Sequence, residues 1–414
     1  MTAPGSRRIA AIAIVAALAL VAWRLWPDGG GPDATAQARA AATASDRGPA
    51  PAMPGPSPSR SRAAAPLSDA TQGAFERIAA ADDDAACAKA SRGRLQAIRS
   101  ALDPARSAED AFAHAVLGEL LALGASGPGA PDALQRAAQD ATAWQRLARR
   151  WPGDLDIAWR AATTCLPRLG CDEDAALRHL LAAESDNAAA WLLAMRAAWN
   201  RGDPVAYDAA LARAAASPRY APRTGSVFLR LQPLLAAAPL PSTCIRADGA
   251  AALSASLGRA ATAEDWAGVE ALSMEFAFGN AFDYGSLSGC APSGTDMPAR
   301  RRGDCIAVLS WLADGDTLVE RHIALPLLVR LGGDTPQGRA WRERYRQLLY
   351  LRQQVPPRGL LPGEPARLLA IGEVEALRQQ AIAQGAWPPP ADWLPADPRQ
   401  RMLVTHGRLP PGVR

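Results

Sequence analysis

Two close carboxylate pairs, four histidines and six cysteines are the residues of this chain whose types could do chemistry. Asp314 with Asp316, and Glu373 with Glu375, have a spacing that acid/base partners can use. Each pair, however, sits at an expected helix start or on a polar face, where a carboxylate caps free amides or is solvated. His114, His179, His322 and His406 are scattered without ligand spacing. A single lysine, Lys89, among 45 basic residues leaves no phosphate-binding GxxxxGK loop, and neither HExxH nor GxSxG occurs. The expectation is a non-enzyme without a cofactor. A triad assembled only in three dimensions is the route left to an envelope hydrolase with no recognisable motif.

The N-terminus sets the compartment. Arg7 and Arg8 precede an apolar run from Ile9 to Trp23, which extends to Trp26 if Arg24 snorkels beside the interfacial tryptophans. Arginines ahead of such a run hold the N-terminus in the cytoplasm and send the rest outward. The reading is a single-pass inner-membrane anchor over residues 9–26 with the bulk in the periplasm; a cleaved signal peptide with small-residue sites near Ala36 and Ala38 is the alternative. Residues 28–68, crowded with Gly, Pro, Ala and Ser, read as a disordered linker.

Export gives the cysteines a role. An even count of six in an oxidising compartment is most simply three disulfides. Cys165 and Cys171 flank the turn of a helical hairpin and can staple it. Cys290 and Cys305 bracket a Gly/Pro-rich loop, and closing a loop of that size stabilises by about 3 kcal/mol on chain entropy. Cys87 and Cys244 pair by elimination. Metal binding lacks any CxxC or Cys/His cluster to support it.

Helices must position all of this. Apolar residues make up 49% of the 414, aromatics only 6%, and alanine dominates, which favours helix throughout. Ser107 with Asp110 and Thr262 with Asp265 form capping-box patterns, and Asp203-Pro204 and Thr335-Pro336 put a cap before a proline. Apolar positions recur at three and four spacing in "AFAHAVLGELLAL", "WLLAMRAAW" and "LVERHIALPLLVRL", in which Pro326 is expected to kink or divide the helix. A net charge of +4 is too small for nucleic-acid binding.

Residues 154–186 lie over residues 186–218 at an offset of 32: Trp159 on Trp191, Ala162 on Ala194, Gly170 on Gly202 and Ala182 on Ala214. Two helices per unit at fixed period mark stacked helical repeats. On these residues the segment resembles the tetratricopeptide repeat family: a large residue early in the first helix, small residues where helices cross, and prolines between units (Pro152, Pro218). It departs in its period and at Tyr207, where a small residue belongs. The resemblance covers about residues 107–218 and implies an all-α fold of hairpins stacked as a solenoid, or an irregular helical bundle. Such stacks bind peptides or proteins on a concave surface. Trp159 and Trp191 are either groove residues or core tryptophans.

Further on, Phe276, Phe278, Phe282 and Tyr284 are expected to pack the base of the Cys290–Cys305 excursion. Arg300, Arg301 and Arg302 form either a solvated turn or an anion-binding triplet. The organisation read from the sequence is: 1–27 cytoplasmic stub and anchor; 28–68 linker; 69–221 helical-repeat domain; 222–384 second helical region; 385–414 extended proline-rich tail, self-packed or offered to a partner. The expected function is a membrane-anchored periplasmic protein that binds envelope proteins. A non-catalytic binder of cell-wall glycan or peptide is the alternative.

Overall fold

The computed structural model describes residues 81–125, 133–165, 171–245, 247–279, 284–291, 297–353 and 365–409. The expected anchor 9–26 and linker 28–68 lie outside the described residues, as do Gly170 and Phe282. Among the described residues the fold is all-α, with no strand and a single isolated parallel bridge between Asn187 and Arg219. No helix among them is long and apolar enough to cross a membrane.

The helices run α1 (Ala81–Ala101), α2 (Ala108–Ala125), α3 (Ala133–Arg150), α4 (Leu155–Thr164), α5 (Glu173–Ala183), α6 (Ala188–Arg201), α7 (Pro204–Ala216) and α8 (Ser226–Ala237). They continue as α9 (Ala247–Leu257), α10 (Ala263–Met274), α11 (Ala299–Ala313), α12 (Leu318–Gly332) and α13 (Pro336–Gln353). The chain closes with α14 (Pro365–Ile371), α15 (Glu373–Ala383) and α16 (Pro398–His406). Short polar side chains start most of these helices by accepting otherwise orphaned amides. Asp154 accepts from Ile157, Asp172 from Ala175, and Asp203 from Val205 and Ala206 ahead of Pro204. Thr262 with Asp265 and Thr317 with Glu320 close complete capping boxes.

Two hydrophobic cores share one helix. One gathers α1 to α5, α8 and α10 around Phe112, Trp144, Ile157, Leu180 and Leu231. The other gathers α7, α11 to α13, α15 and α16 around Leu211, Val308, Leu312, Leu328 and Leu377. α6 belongs to both: Ala189, Leu193 and Ala197 enter the first, and Ala188, Leu192, Met195 and Ala198 the second. Residues 86–413 accordingly form one compact unit. The packing does not divide at residues 221/222, because α8 and α10 pack with the N-terminal helices while α7 packs with the C-terminal ones.

Of the two outcomes expected at Pro326, a kink or a divided helix, division does not occur: α12 runs unbroken from Leu318 to Gly332. A mid-helix proline costs about 3 kcal/mol; burial of Leu325, Leu328 and Val329 at 0–1% exposure stabilises by about 1.5–3 kcal/mol each and outweighs it. Nor is the tail extended throughout, since Asp397 and Pro398 start α16, whose Leu403 and Val404 enter the core. Trp387 and Trp393 pack against that same core, the latter edge-on to Tyr350 at 5.1 Å.

All six cysteines are paired. Cys165–Cys171 closes the α4–α5 turn (Cα–Cα 5.8 Å), Cys290–Cys305 ties the 3-10 turn at Tyr284–Cys290 to α11 (5.5 Å), and Cys87–Cys244 fastens α1 to the segment after α8 (4.9 Å).

Candidate binding cleft

The α4–α5 and α6–α7 hairpins carry the offset of 32, and the structure shows what lies between them. Arg196, 1% exposed in α6, donates to the carbonyls of Ala162 (2.8 Å) and Thr163 (3.2 Å) and so satisfies the end of α4. Its guanidinium lies 3.9 Å from Glu173 at the start of α5. One arginine thus locks the first hairpin onto the second.

Outward from this lock lies an open cleft of about 360 Å³. Its α5 wall is Asp174, Leu177, Arg178 and Leu181, and its α7 wall is Ala206, Ala209, Ala210 and Arg213. Every residue of the first wall stands 32 positions before one of the second, so the cleft is the seam between second helices of consecutive hairpins. Leu177 and Leu181 line one side and Ala206, Ala209 and Ala210 the other, and side chains as small as alanine leave room beside them. Trp191 and Ala194 of α6 supply the floor. The indole N–H of Trp191 donates to the carbonyl of Ser185 at 2.8 Å, which fixes the ring without covering it.

The cleft is lined by three arginines and one aspartate. Arg201 is neutralised by Glu173 (3.3 Å) and Asp174 (3.1 Å). Burial pushes the Glu173 carboxyl above its ordinary value, against the opposing pull of Arg196 and Arg201. Arg178 and Arg213 are exposed.

A strap holds the α5 end of this cleft. Residues 217–225 cross the hairpin ends, where Asn187 exchanges hydrogen bonds with Ala221 (2.9 and 3.0 Å) and Ala188 N–H donates to Arg219 O (2.8 Å). Glu184, 1% exposed at the end of α5, accepts from Arg223, Arg219 and Asn187. Burial raises the carboxyl of Glu184, and those hydrogen bonds outweigh it, so the net shift is downward. Arg223 also pairs with Asp156 of α4, which in turn pairs with Arg230 of α8, so the charges continue beyond the strap.

The residues singled out in the sequence have separate fates. Trp159 is a core residue, 5% exposed. Trp191, at the equivalent position, lines the cleft. Ala214 is fully buried and Ala182 is exposed, so the two hairpins are not equivalent in their surroundings. Tyr207, the departure from the small-residue pattern, donates to Ser286 O (3.0 Å) and carries Arg301 over its ring at 5.1 Å. Arg301 also pairs with Asp208 (3.4 Å), Arg302 donates to Leu331 O, and Arg300 is exposed, so the triplet is split rather than gathered on one ligand. Among the aromatic run, Phe278 is buried in the first core, Tyr284 packs on the second, and Phe276 is 42% exposed.

The two carboxylate pairs do come together, where α12 and α15 begin. Glu373 accepts from Leu318 N–H (2.7 Å), and Val374 N–H donates to Asp316 O (3.2 Å), so each helix start caps the other. Burial holds the Glu373 carboxyl above its ordinary value. Tyr220 of the strap reaches the same cluster through Glu320. Asp314 pairs with Arg344 and Glu375 with Arg378, both at 2.7 Å. Glu373 and the backbone of Asp316 thus tie the starts of α12 and α15 together, while the Glu375–Arg378 pair stays within α15.

Sequence reasoning passed over Arg178, Arg213 and the strap. The offset of 32 relates the two walls residue by residue, but nothing in the sequence signals that α5 and α7 stand apart.

Comparison with protein-family models, curated proteins and solved structures finds no match to this chain.

Proposed function

We propose that this protein works by binding another protein, and that the cleft between α5 and α7 is where it does so. The observation that carries the reading is an open seam, walled by leucine on one side and alanine on the other, with a tryptophan floor and a basic rim. Grooves between helices of this kind accept the apolar side chains of a partner segment. The resemblance of residues 107–218 to tetratricopeptide repeats agrees with it, since stacked hairpins commonly serve as docking surfaces. Three disulfides agree with an exported domain, held at the inner membrane by residues 9–26 and facing the envelope.

The test is in-cell photo-crosslinking from Ala209, an exposed position of the cleft wall, in the full-length anchored chain. The same probe at an exposed site remote from the cleft, and the segment 1–68 alone, serve as controls. A reproducible envelope protein captured only from Ala209 is the expected result. Capture from both sites alike, or from neither, would sink the proposal.

A further inference from the structure

The chemistry of the cleft goes further than its shape, and the step rests on the docking role just proposed. We infer that the occupant is an acidic segment of the partner protein, with an apolar side chain between carboxylates that reach Arg178 and Arg213. Three features select that chemistry. The apolar part of the cleft, from Leu177 and Leu181 across to Ala209 and Ala210, favours burial of one or more apolar side chains. At the rim, the single aspartate is committed to Arg201 at 3.1 Å, together with Glu173 behind it. The guanidinium groups of Arg178 and Arg213, on opposite walls, have no hydrogen bond or ion pair among the described residues, so their charge is left uncompensated across the opening. A basic segment would meet like charge there, and a purely apolar one would leave both guanidinium groups facing its low-dielectric surface. An acidic segment satisfies floor and rim together. Guanidinium forks suit carboxylates in particular, because two parallel N–H donors match the two oxygens.

The experiment is an NMR titration of the folded, disulfide-intact chain with the peptide Glu-Glu-Leu-Glu-Glu, against its counterpart Gln-Gln-Leu-Gln-Gln. Shifts confined to α5, α6 and α7 with the acidic peptide, weakened roughly tenfold in Arg178→Glu/Arg213→Glu, are expected from losing two exposed ion pairs and gaining repulsion. Both arginines are surface residues, so the variant should fold; a circular dichroism melt matching the parent checks this. Equal affinity for the two peptides, binding unaffected by the charge reversal, or no binding would overturn the inference. Self-association abolished by the same variant would also overturn it, by naming a second copy of the chain as the occupant. The cross-link from Ala209 separates the two claims. A partner still captured by the charge-reversed chain refutes the acidic chemistry and leaves the docking role standing.

Discussion

Removing the Glu184 carboxylate is the sharpest test of how the cleft is held. Glu184 is 1% exposed and accepts from Arg219 (2.6 Å), Asn187 (2.8 Å) and Arg223. Breaking a buried ion pair costs about 3–5 kcal/mol when the surviving charge is stranded. Here the survivors are not stranded. Arg219 is 40% exposed and keeps Asp186 at 2.8 Å, and Arg223 is 31% exposed and keeps Asp156 at 3.7 Å. Glu184→Ala should therefore cost less, about 2–3 kcal/mol, and Glu184→Gln, which retains an acceptor oxygen, about 1–2 kcal/mol. The carboxyl is depressed in the fold below its ordinary 4.5, through hydrogen bonds that outweigh burial. Its contribution is thus complete above that value and is lost as pH falls through the depressed one. Urea unfolding followed by circular dichroism, repeated from neutral pH downward, reads both quantities. The gap between parent and Glu184→Gln should close in acid, once both side chains are neutral. A cost below about 0.5 kcal/mol at neutral pH, or a gap that stays constant through the titration, would refute the assignment of the strap to this carboxylate.

Three further outcomes follow from other parts of the fold. A Cβ on Gly338 would run into the backbone of Gly332 and Gly333, so Gly338→Ala should destabilise by about 1–3 kcal/mol in the same assay, whereas Gly303→Ala, inside α11 with open space around it, should stabilise by about 0.5–1 kcal/mol. On chain entropy the Cys87–Cys244 bridge, spanning 157 residues, is worth about 5 kcal/mol and the Cys165–Cys171 staple, spanning 6, about 2 kcal/mol; paired alanine variants should rank in that order by thermal unfolding. Burial raises the carboxyl of Glu275, which accepts from Val227 and Phe228 amides, so its charge penalises the fold above the raised value and the penalty is relieved as pH falls through it. Glu275→Gln should then match or exceed the parent at neutral pH and lose any advantage toward acid; a loss above about 2 kcal/mol at neutral pH would contradict this.

Much of the helical layout was legible because it rests on local rules. Caps such as Asp203 with Pro204 and Thr262 with Asp265 act within a single turn, and the cysteines flanking one turn or one short loop lie within bonding reach by proximity alone. What the sequence hid is set by contacts far apart in the chain. Tyr220 reaches Glu320 and Arg94 reaches Glu270 across 100 and 176 residues. No local pattern signals that such residues meet. The cleft was hidden for another reason: alanines at 206, 209 and 210 look like ordinary helix formers, and only the placement of α7 beside α5 makes their small size a gap.

The shared helix α6 ties stability to the candidate site. Its apolar positions are divided between two cores, and almost nothing from Ala188 to Ala198 is left to solvent; Trp191 and Ala194, the two partly exposed positions, are the two that floor the cleft. A helix buried nearly all round cannot rotate without unpacking one core or the other. The orientation of Trp191 is thus over-determined: Leu193 and Ala197 hold α6 from one side, and Leu192, Met195 and Ala198 from the other. Leu193→Ala should accordingly weaken a ligand of the cleft even though Leu193 does not line it, by leaving a cavity into which α6 can settle. The comparison that checks this is Leu193→Ala against Leu117→Ala, a fully buried residue of the same core on α2. Both should lose about 2–5 kcal/mol of stability. Only the first should also shift the cleft resonances of Trp191 and Ala194, and equal shifts in the two variants would show that the floor is not set by the packing of α6.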